Sequence, residues 1–146
     1  MQIRDCMSGD VTIASPEMSL KDAARLMREQ DTGFLPVGEN DRLVGSLTDR
    51  DITVRAVCEG MDPNIAKVRE AMSRHIVYCF DDQDTTEAAR LMGEKQIRRL
   101  AVLNHDKRLV GVLSLGDIAG RAHDDRAAEQ ALEGVSHHTG KARDLH

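Results

Sequence analysis

The sequence predicts a mixed α/β (α+β) protein built from two copies of one small unit, packed sheet to sheet. Three observations lead there. First, the chain repeats itself. Asp22-Ala23-Ala24-Arg25-Leu26-Met27 returns as Glu87-Ala88-Ala89-Arg90-Leu91-Met92, Met7-Ser8 as Met72-Ser73, and Arg42-Leu43-Val44-Gly45 as Arg108-Leu109-Val110-Gly111. The last match is displaced by one residue relative to the others, so the second copy carries a longer loop. Second, short apolar runs of strand character alternate with helical apolar faces within each copy. Third, each copy offers three strands at most and two helices, which bury too little apolar surface alone. The copies must therefore cover one another, and the grooves left between them suit a ligand.

The elements follow in order. Residues 3–7 read as a short helical turn, and Val11-Thr12-Ile13 as a short strand closed by Ser15-Pro16. Ser19 with Asp22 resembles a capping box, and Leu20, Ala23, Ala24, Leu26 and Met27 form the buried face of a helix to Gln30. Asp31-Thr32-Gly33 ends it. Phe34 to Val37 is a strand whose proline suggests an edge, Gly38 to Asp41 a hairpin turn, Arg42 to Leu47 a strand and Asp49 to Glu59 a helix. Gly60 to Lys67 connects the copies, and Val68 to Met72 is a short helix. The order then repeats: strand Ile76 to Phe80, helix capped at Asp84 and running to Lys95, strand Arg99 to Leu103, turn Asn104 to Lys107, strand Arg108 to Leu113. A last helix begins near Leu115 and extends through Ala131. The polar stretch Ser136-His137-His138-Thr139-Gly140 predicts a disordered end.

The chain is organised around Gly45-Ser46-Leu47-Thr48-Asp49-Arg50-Asp51, a strand end, a tight turn and a helix start. Thr48 or Asp49 can cap that helix, and the spacing alone is that of an ordinary cap. The same residues offer a nucleotide site. The Asp51 carboxylate presents paired acceptors to a vicinal diol such as a ribose, and the Arg50 guanidinium suits phosphate. In the second copy Ser114 and Asp117 keep the hydroxyl and the carboxylate, while Gly116 replaces Arg50.

With the pattern Gly, two residues, Thr or Ser, two residues, Asp met twice, the sequence resembles a tandem pair of CBS domains, a Bateman module. The Met-Ser openings and the Leu-Pro-Val and Leu-Ala-Val strands match as well. The resemblance is to short bacterial proteins made of one CBS pair. It implies a first domain over residues 1–60, a connector over 61–70, a second domain over 71–125, and a helix end with a disordered tail over 126–146. The two domains are β-α-β-β-α repeats related by a pseudo-twofold axis, with adenosine-containing ligands in the clefts between them.

The resemblance also implies site residues. The basic pair Arg98-Arg99 stands where the family often meets the phosphates of a ligand whose ribose is held by the other copy. The first cleft then comprises Thr48, Arg50, Asp51, Arg98 and Arg99, with Ile76, Val77 and Tyr78 as adenine walls. The second comprises Ser114 and Asp117 with Thr12 and Ile13, and has few cations, because Gly33-Phe34 stands where the other copy has Arg98-Arg99. Without a ligand, Arg98-Arg99 is a solvated strand end.

Composition narrows the function classes. Of 146 residues 40% are hydrophobic but only 2% aromatic, so aliphatic side chains and the seven methionines must build the core. A net charge of −5 and the lack of a basic run with aromatics argue against nucleic acid as partner. No stretch suits a membrane span, and the N-terminus has no signal-peptide pattern. Three unpatterned cysteines, Cys6, Cys58 and Cys79, favour reduced thiols and a cytoplasmic setting. His75, His105 and His123 have no metal-ligand spacing, His137-His138 and Asp124-Asp125 read as surface features, and no nucleophile-and-base motif occurs.

The expectation is a regulatory module, not an enzyme. It binds AMP, ADP, ATP, NAD or S-adenosylmethionine as a regulatory ligand and acts in trans on a protein partner. The alternative is a structural or interaction dimer with weak or no nucleotide binding. A twofold homodimer is expected in either case, since Leu20, Met27, Leu91 and Met92 look too apolar for helices facing only solvent.

Overall fold

The computed structural model describes residues 1–121, so His123, Asp124-Asp125, the helix expected through Ala131 and the tail lie outside the described residues. The chain forms two compact units whose limits differ from those of the sequence repeats. One is Thr12–Ile76; the other joins Met1–Val11 to the chain from Val77 onward.

In the Thr12–Ile76 unit, α1 (Leu20–Gln30) starts where Ser19 Oγ accepts from the Asp22 N–H and ends at Asp31 in a left-handed conformation, φ 50°. β1 (Phe34–Glu39) and β2 (Arg42–Thr48) form an antiparallel hairpin. The turn is narrower than the sequence suggests. Only Asn40 and Asp41 leave the strands, both at positive φ, as a type I′ loop requires. The expected strand at Val11-Thr12-Ile13 is absent and survives as a single parallel bridge, Ala14 to Val37. Pro36 explains this. Ala14 donates to the Pro36 carbonyl and accepts from Gly38, and the next rung towards Thr12 needs an N–H that Pro36 lacks.

After Thr48 the chain makes one α-turn, α2 (Asp49–Asp51), and then a π-helix, Ile52–Val57, in place of the regular helix to Glu59. Connector residues fold back on α1: Leu20 donates to Ala66 and Lys21 to Pro63. α3 (Val68–Ala71) follows, and Ser73 then exchanges two hydrogen bonds with Ser46 of β2, 3.0 and 2.8 Å. The core holds Leu20, Ala23, Met27, Leu35, Val37, Leu47, Val68, Ala71 and Met72.

In the other unit a 3₁₀ turn, Ile3–Asp5, leads to Ser8, which pairs with Val112. The sheet has the order β3-β4-β5: β3 (Tyr78–Phe80) runs parallel to β4 (Arg99–Leu103), and β4 antiparallel to β5 (Leu109–Ser114). β3 starts two residues later than expected. Ala101 here takes the place of Pro36 and supplies the missing donor, which is why this copy keeps a strand. α4 (Thr85–Lys95) is capped by Asp84, which accepts from Thr86 N–H, and α5 runs from Leu115 to the last described residue, Arg121. The added residue lies in the Asn104–Arg108 loop, where Asn104 Oδ1 accepts from the N–H groups of Asp106 and Arg108.

The apolar residues expected to face a second copy do something else. Leu20 and Met92 are fully buried and Met27 nearly so, each in the core of its own unit, with Leu91 packed against the same core. Short helices on two- and three-stranded sheets spend most of their apolar face on the core of their own unit, although Ala24 of α1 stays exposed. No helix among the described residues is long and apolar enough to cross a membrane.

Candidate functional site

The junctions β2–α2 and β5–α5 are built alike. Thr48 Oγ1 accepts from Asp51 N–H at 3.0 Å while an Asp51 oxygen, Oδ2, accepts from Thr48 N–H at 2.9 Å. Ser114 Oγ and Asp117 N–H, and Asp117 Oδ2 and Ser114 N–H, form the same reciprocal pair, both at 3.0 Å. The cap is therefore Thr48, and Asp49 is the first helical residue. Each box satisfies two backbone donors at a helix start and fixes the carboxylate. It also leaves the second oxygen, Oδ1, outside the box, and that is the atom available to a diol.

Around Asp51 the second oxygen faces Arg55, whose Nε is 4.0 Å away. The Asp51 side chain is only 17% exposed, so this pairing is partly desolvated. Arg50 lies exposed at the helix start, its N–H donating to Asp49 Oδ1. Gly33 accepts from Asp49 N–H, and a Cβ built on Gly33 would stand 2.6 Å from the Asp49 carboxylate. A side chain in the place the other copy gives to Arg98 would make the Asp49 carboxylate swing aside.

In the second copy Arg98 accepts at its carbonyl from Leu115, the counterpart of Asp49, so no carboxylate crowds the position. Arg98 is exposed and Arg99 half-buried. Arg99 stands in register opposite Ser114, whereas Phe34 stands opposite Thr48. The structure thus brings Thr48 and Asp51 together in one unit, and Ser114, Asp117 and Arg99 together in the other.

The adenine-wall residues divide differently. Val77 packs against its unit's core, and Tyr78 opens β3 with its ring edge-on to Phe80 at 5.6 Å. Thr12 is half-buried, while Ile13 and Ile76 are 41% and 37% exposed and lie outside any strand.

Two groupings escaped the sequence reading. Arg55 is one, although an arginine four residues after the aspartate recurs as Arg121 after Asp117. The other joins His105 and Asp82, which pair through the imidazole Nε2, with the His105 ring stacked on Phe80 at 5.2 Å. The hydrogen bond to Asp82 and its charge raise the His105 pKa, and the same bond lowers that of Asp82. Among the described residues no three His, Cys, Asp or Glu side chains gather to hold a metal.

The comparisons agree with this architecture. A CBS-domain model matches residues 3–57 and again 68–124. The chain is 36% identical over 135 residues to a CBS domain-containing protein of Bacillus subtilis, YhcV, covering 92% of this chain and 95% of that one. It is 41% identical over 117 residues to hypoxic response protein 1 of Mycobacterium tuberculosis, covering 80% and 81%. A crystal structure of Hypoxic Response Protein I, with two coordinated zinc ions, superposes with a TM-score of 0.77 at 39% identity, over 83% of this chain and 98% of that one. The CBS pair of protein MJ0100, solved with 5′-methylthioadenosine and S-adenosyl-L-methionine, shares the fold with a TM-score of 0.74 at 24% identity, over 86% and 98%. With a match to each of its repeats, this chain belongs to the CBS-domain family and carries the domain twice.

Proposed function

We propose that the protein is a regulatory module that binds adenosine-containing ligands, AMP, ADP, ATP, NAD or S-adenosylmethionine, and acts in trans on a protein partner in the cytosol. The observation that carries this is the duplicated box, Thr48 with Asp51 and Ser114 with Asp117, each fixing a carboxylate with one oxygen left for a ribose diol. Ile76, Val77 and Tyr78 serve one adenine, and Thr12 and Ile13 the other. The adenosine compounds bound by the MJ0100 pair support the ligand class. A thermal-shift series with adenine nucleotides tests it, since a ligand of the folded state raises its stability. No shift with any of them at millimolar concentration would sink the proposal.

Arg98 and Arg99 supply the charge for a phosphate. The family resemblance assigns them to the ligand anchored on Asp51, and the register opposite Ser114 makes the ligand of Asp117 the competing assignment. Charge-assisted contacts weaken with salt, so ATP affinity falls as salt rises while adenosine affinity stays nearly flat. Replacing both arginines with alanine flattens the ATP curve. Repeating the series in Asp51→Ala and Asp117→Ala identifies the carboxylate that shares their ligand. A double mutant with its full salt dependence would leave Arg50 as the phosphate donor.

Gly116 in place of Arg50 favours the second reading, a structural or interaction dimer, at one of the two boxes. Both readings include a twofold homodimer. Its face is assigned to the exposed Val54 and Val57, 49% and 65% exposed, in place of the buried Leu20, Met27 and Met92. Light scattering that gives only monomer at micromolar concentration would rule the dimer out.

A further inference from the structure

Arg55 belongs to no motif that the ligand reading uses, yet it joins two parts of the Thr12–Ile76 unit. Its Nη1 donates to the carbonyls of Ala71 and Met72, at 3.2 and 3.0 Å. These are acceptors at the C-terminal end of α3, which the helix itself leaves unpaired. Its Nε faces the free oxygen of Asp51 at 4.0 Å. A guanidinium is planar and its donors diverge at fixed angles, so one side chain can hold both ends at once.

These contacts close a ring. Asp51 is boxed with Thr48, Thr48 ends the strand that carries Ser46, and Ser46 exchanges two hydrogen bonds with Ser73. Ser73 follows Met72, and Met72 is held by Arg55. The chain passes out of this unit after Ile76, a few residues beyond the clamp.

We propose that Arg55 is a positioning residue that couples the Asp51 carboxylate to the backbone of Ala71, Met72 and Ser73. The proposal rests on the reading of Asp51 as a ribose acceptor. A diol bound to Asp51 pins the carboxylate, the pinned carboxylate holds a guanidinium that is otherwise half exposed, and the guanidinium tightens the Ala71–Ser73 segment. Linkage makes the effect reciprocal: loosening that segment lowers affinity at Asp51.

Hydrogen exchange at the Met72 and Ser73 amides, bonded to Val68 and Ser46, reads the coupling, with adenosine as the probe and calorimetry for its affinity. Adenosine slows both amides in the wild-type protein. Arg55→Gln, which removes the charge and the fork, speeds both in the unliganded protein by roughly five- to tenfold and weakens adenosine by about fivefold or more. At saturating adenosine it shows no further slowing. Arg55→Lys, which keeps the charge, restores affinity to within about threefold of wild type but only part of the slowing. Asp51→Asn, which keeps an acceptor for Thr48, weakens adenosine about tenfold while its unliganded exchange at these amides stays near wild type. If saturated Arg55→Gln slows both amides as the wild type does, the coupling is wrong and the ribose reading stands. If the wild type binds no adenosine, the ribose reading falls and the coupling with it, even where Arg55→Gln speeds exchange.

Discussion

The carbonyl oxygen of Ser73 lies 2.5 Å from the place where a Cβ on Gly45 would stand, with the Met72 sulfur 3.3 Å from it. The second copy repeats the arrangement with exchanged partners: a Cβ on Gly111 would stand 2.6 Å from the Met7 sulfur and 2.8 Å from the Ser8 carbonyl. This explains why the Met-Ser pairs and the Val-Gly pairs recur together. Each glycine is the floor on which a Met-Ser segment crosses a hairpin strand.

Gly45→Ala and Gly111→Ala therefore force backbone to move and should each cost about 1–3 kcal/mol, as overpacking does. Gly9→Ala, with nothing within 4 Å of its Cβ, is the control. Urea unfolding of the three variants checks this, and equal midpoints would contradict it.

Asp51 serves as both cap partner and ligand acceptor, and two substitutions separate the roles. Asp51→Ala removes the bond to Thr48 N–H and should cost about 0.5–2 kcal/mol of stability as well as ligand affinity. Asp51→Asn keeps an acceptor for Thr48 but loses the charge, so stability changes little while adenosine affinity falls about tenfold. An asparagine variant with wild-type affinity in calorimetry would reduce Asp51 to a cap.

The His105–Asp82 pair makes stability depend on pH. The folded pKa of His105 is raised, so its contribution is complete below the unfolded value of roughly 6.5 and disappears as pH rises through the higher folded value. The pKa of Asp82 is lowered, so its contribution is complete above the unfolded value of roughly 3.9 and disappears as pH falls through the lower folded value. The clasp is at full strength between about pH 4 and 6.5. Asp81 and Arg4, which face each other at 3.7 Å, also bear on it. Urea midpoints measured from pH 5.5 upward should decline in the wild type and flatten in His105→Asn, with the difference shrinking in high salt. Parallel curves would dismiss the clasp.

The three cysteines should differ in reactivity. Burial, and then the neighbouring Cys6, push the Cys79 thiol up to about 12, and Cys6 is itself buried, while Cys58 is exposed. A thiol reagent at pH 8 should titrate one cysteine promptly and the other two only in denaturant, because the thiolate is the reactive form. Prompt reaction of all three would place the buried pair in a readily opened segment.

Much of the fold is legible because the repeat, the caps at Ser19 and Asp84, and the apolar spacing of α1 and α4 are local signals, whereas the choice between Thr48 and Asp49 needed the structure. The limits of α1 and α4 came out as read. What failed depended on partners. The strand at Val11-Thr12-Ile13 is lost through a donor missing on Pro36, across the sheet. The apolar excess on α1 and α4 could not be assigned to core or interface until the sheets beneath them were known. Of the site, the two hydroxyl–carboxylate pairs are written in a spacing of three residues. Arg55 reaches carbonyls sixteen and seventeen positions away, and no motif window contains both ends.

The units fold as Thr12–Ile76 and as Met1–Val11 with the chain from Val77 onward, so the segment that was duplicated is not the segment that folds. Each repeat lends its leading arm to its sibling's hairpin. A chain holding one repeat alone would carry a hairpin glycine without the Met-Ser arm that crosses it. A break between the repeats at residue 60 or 61 severs both units, because Met72-Ser73 parts from Gly45 and Met7-Ser8 from Gly111, whereas a piece spanning Thr12–Ile76 keeps its own arm.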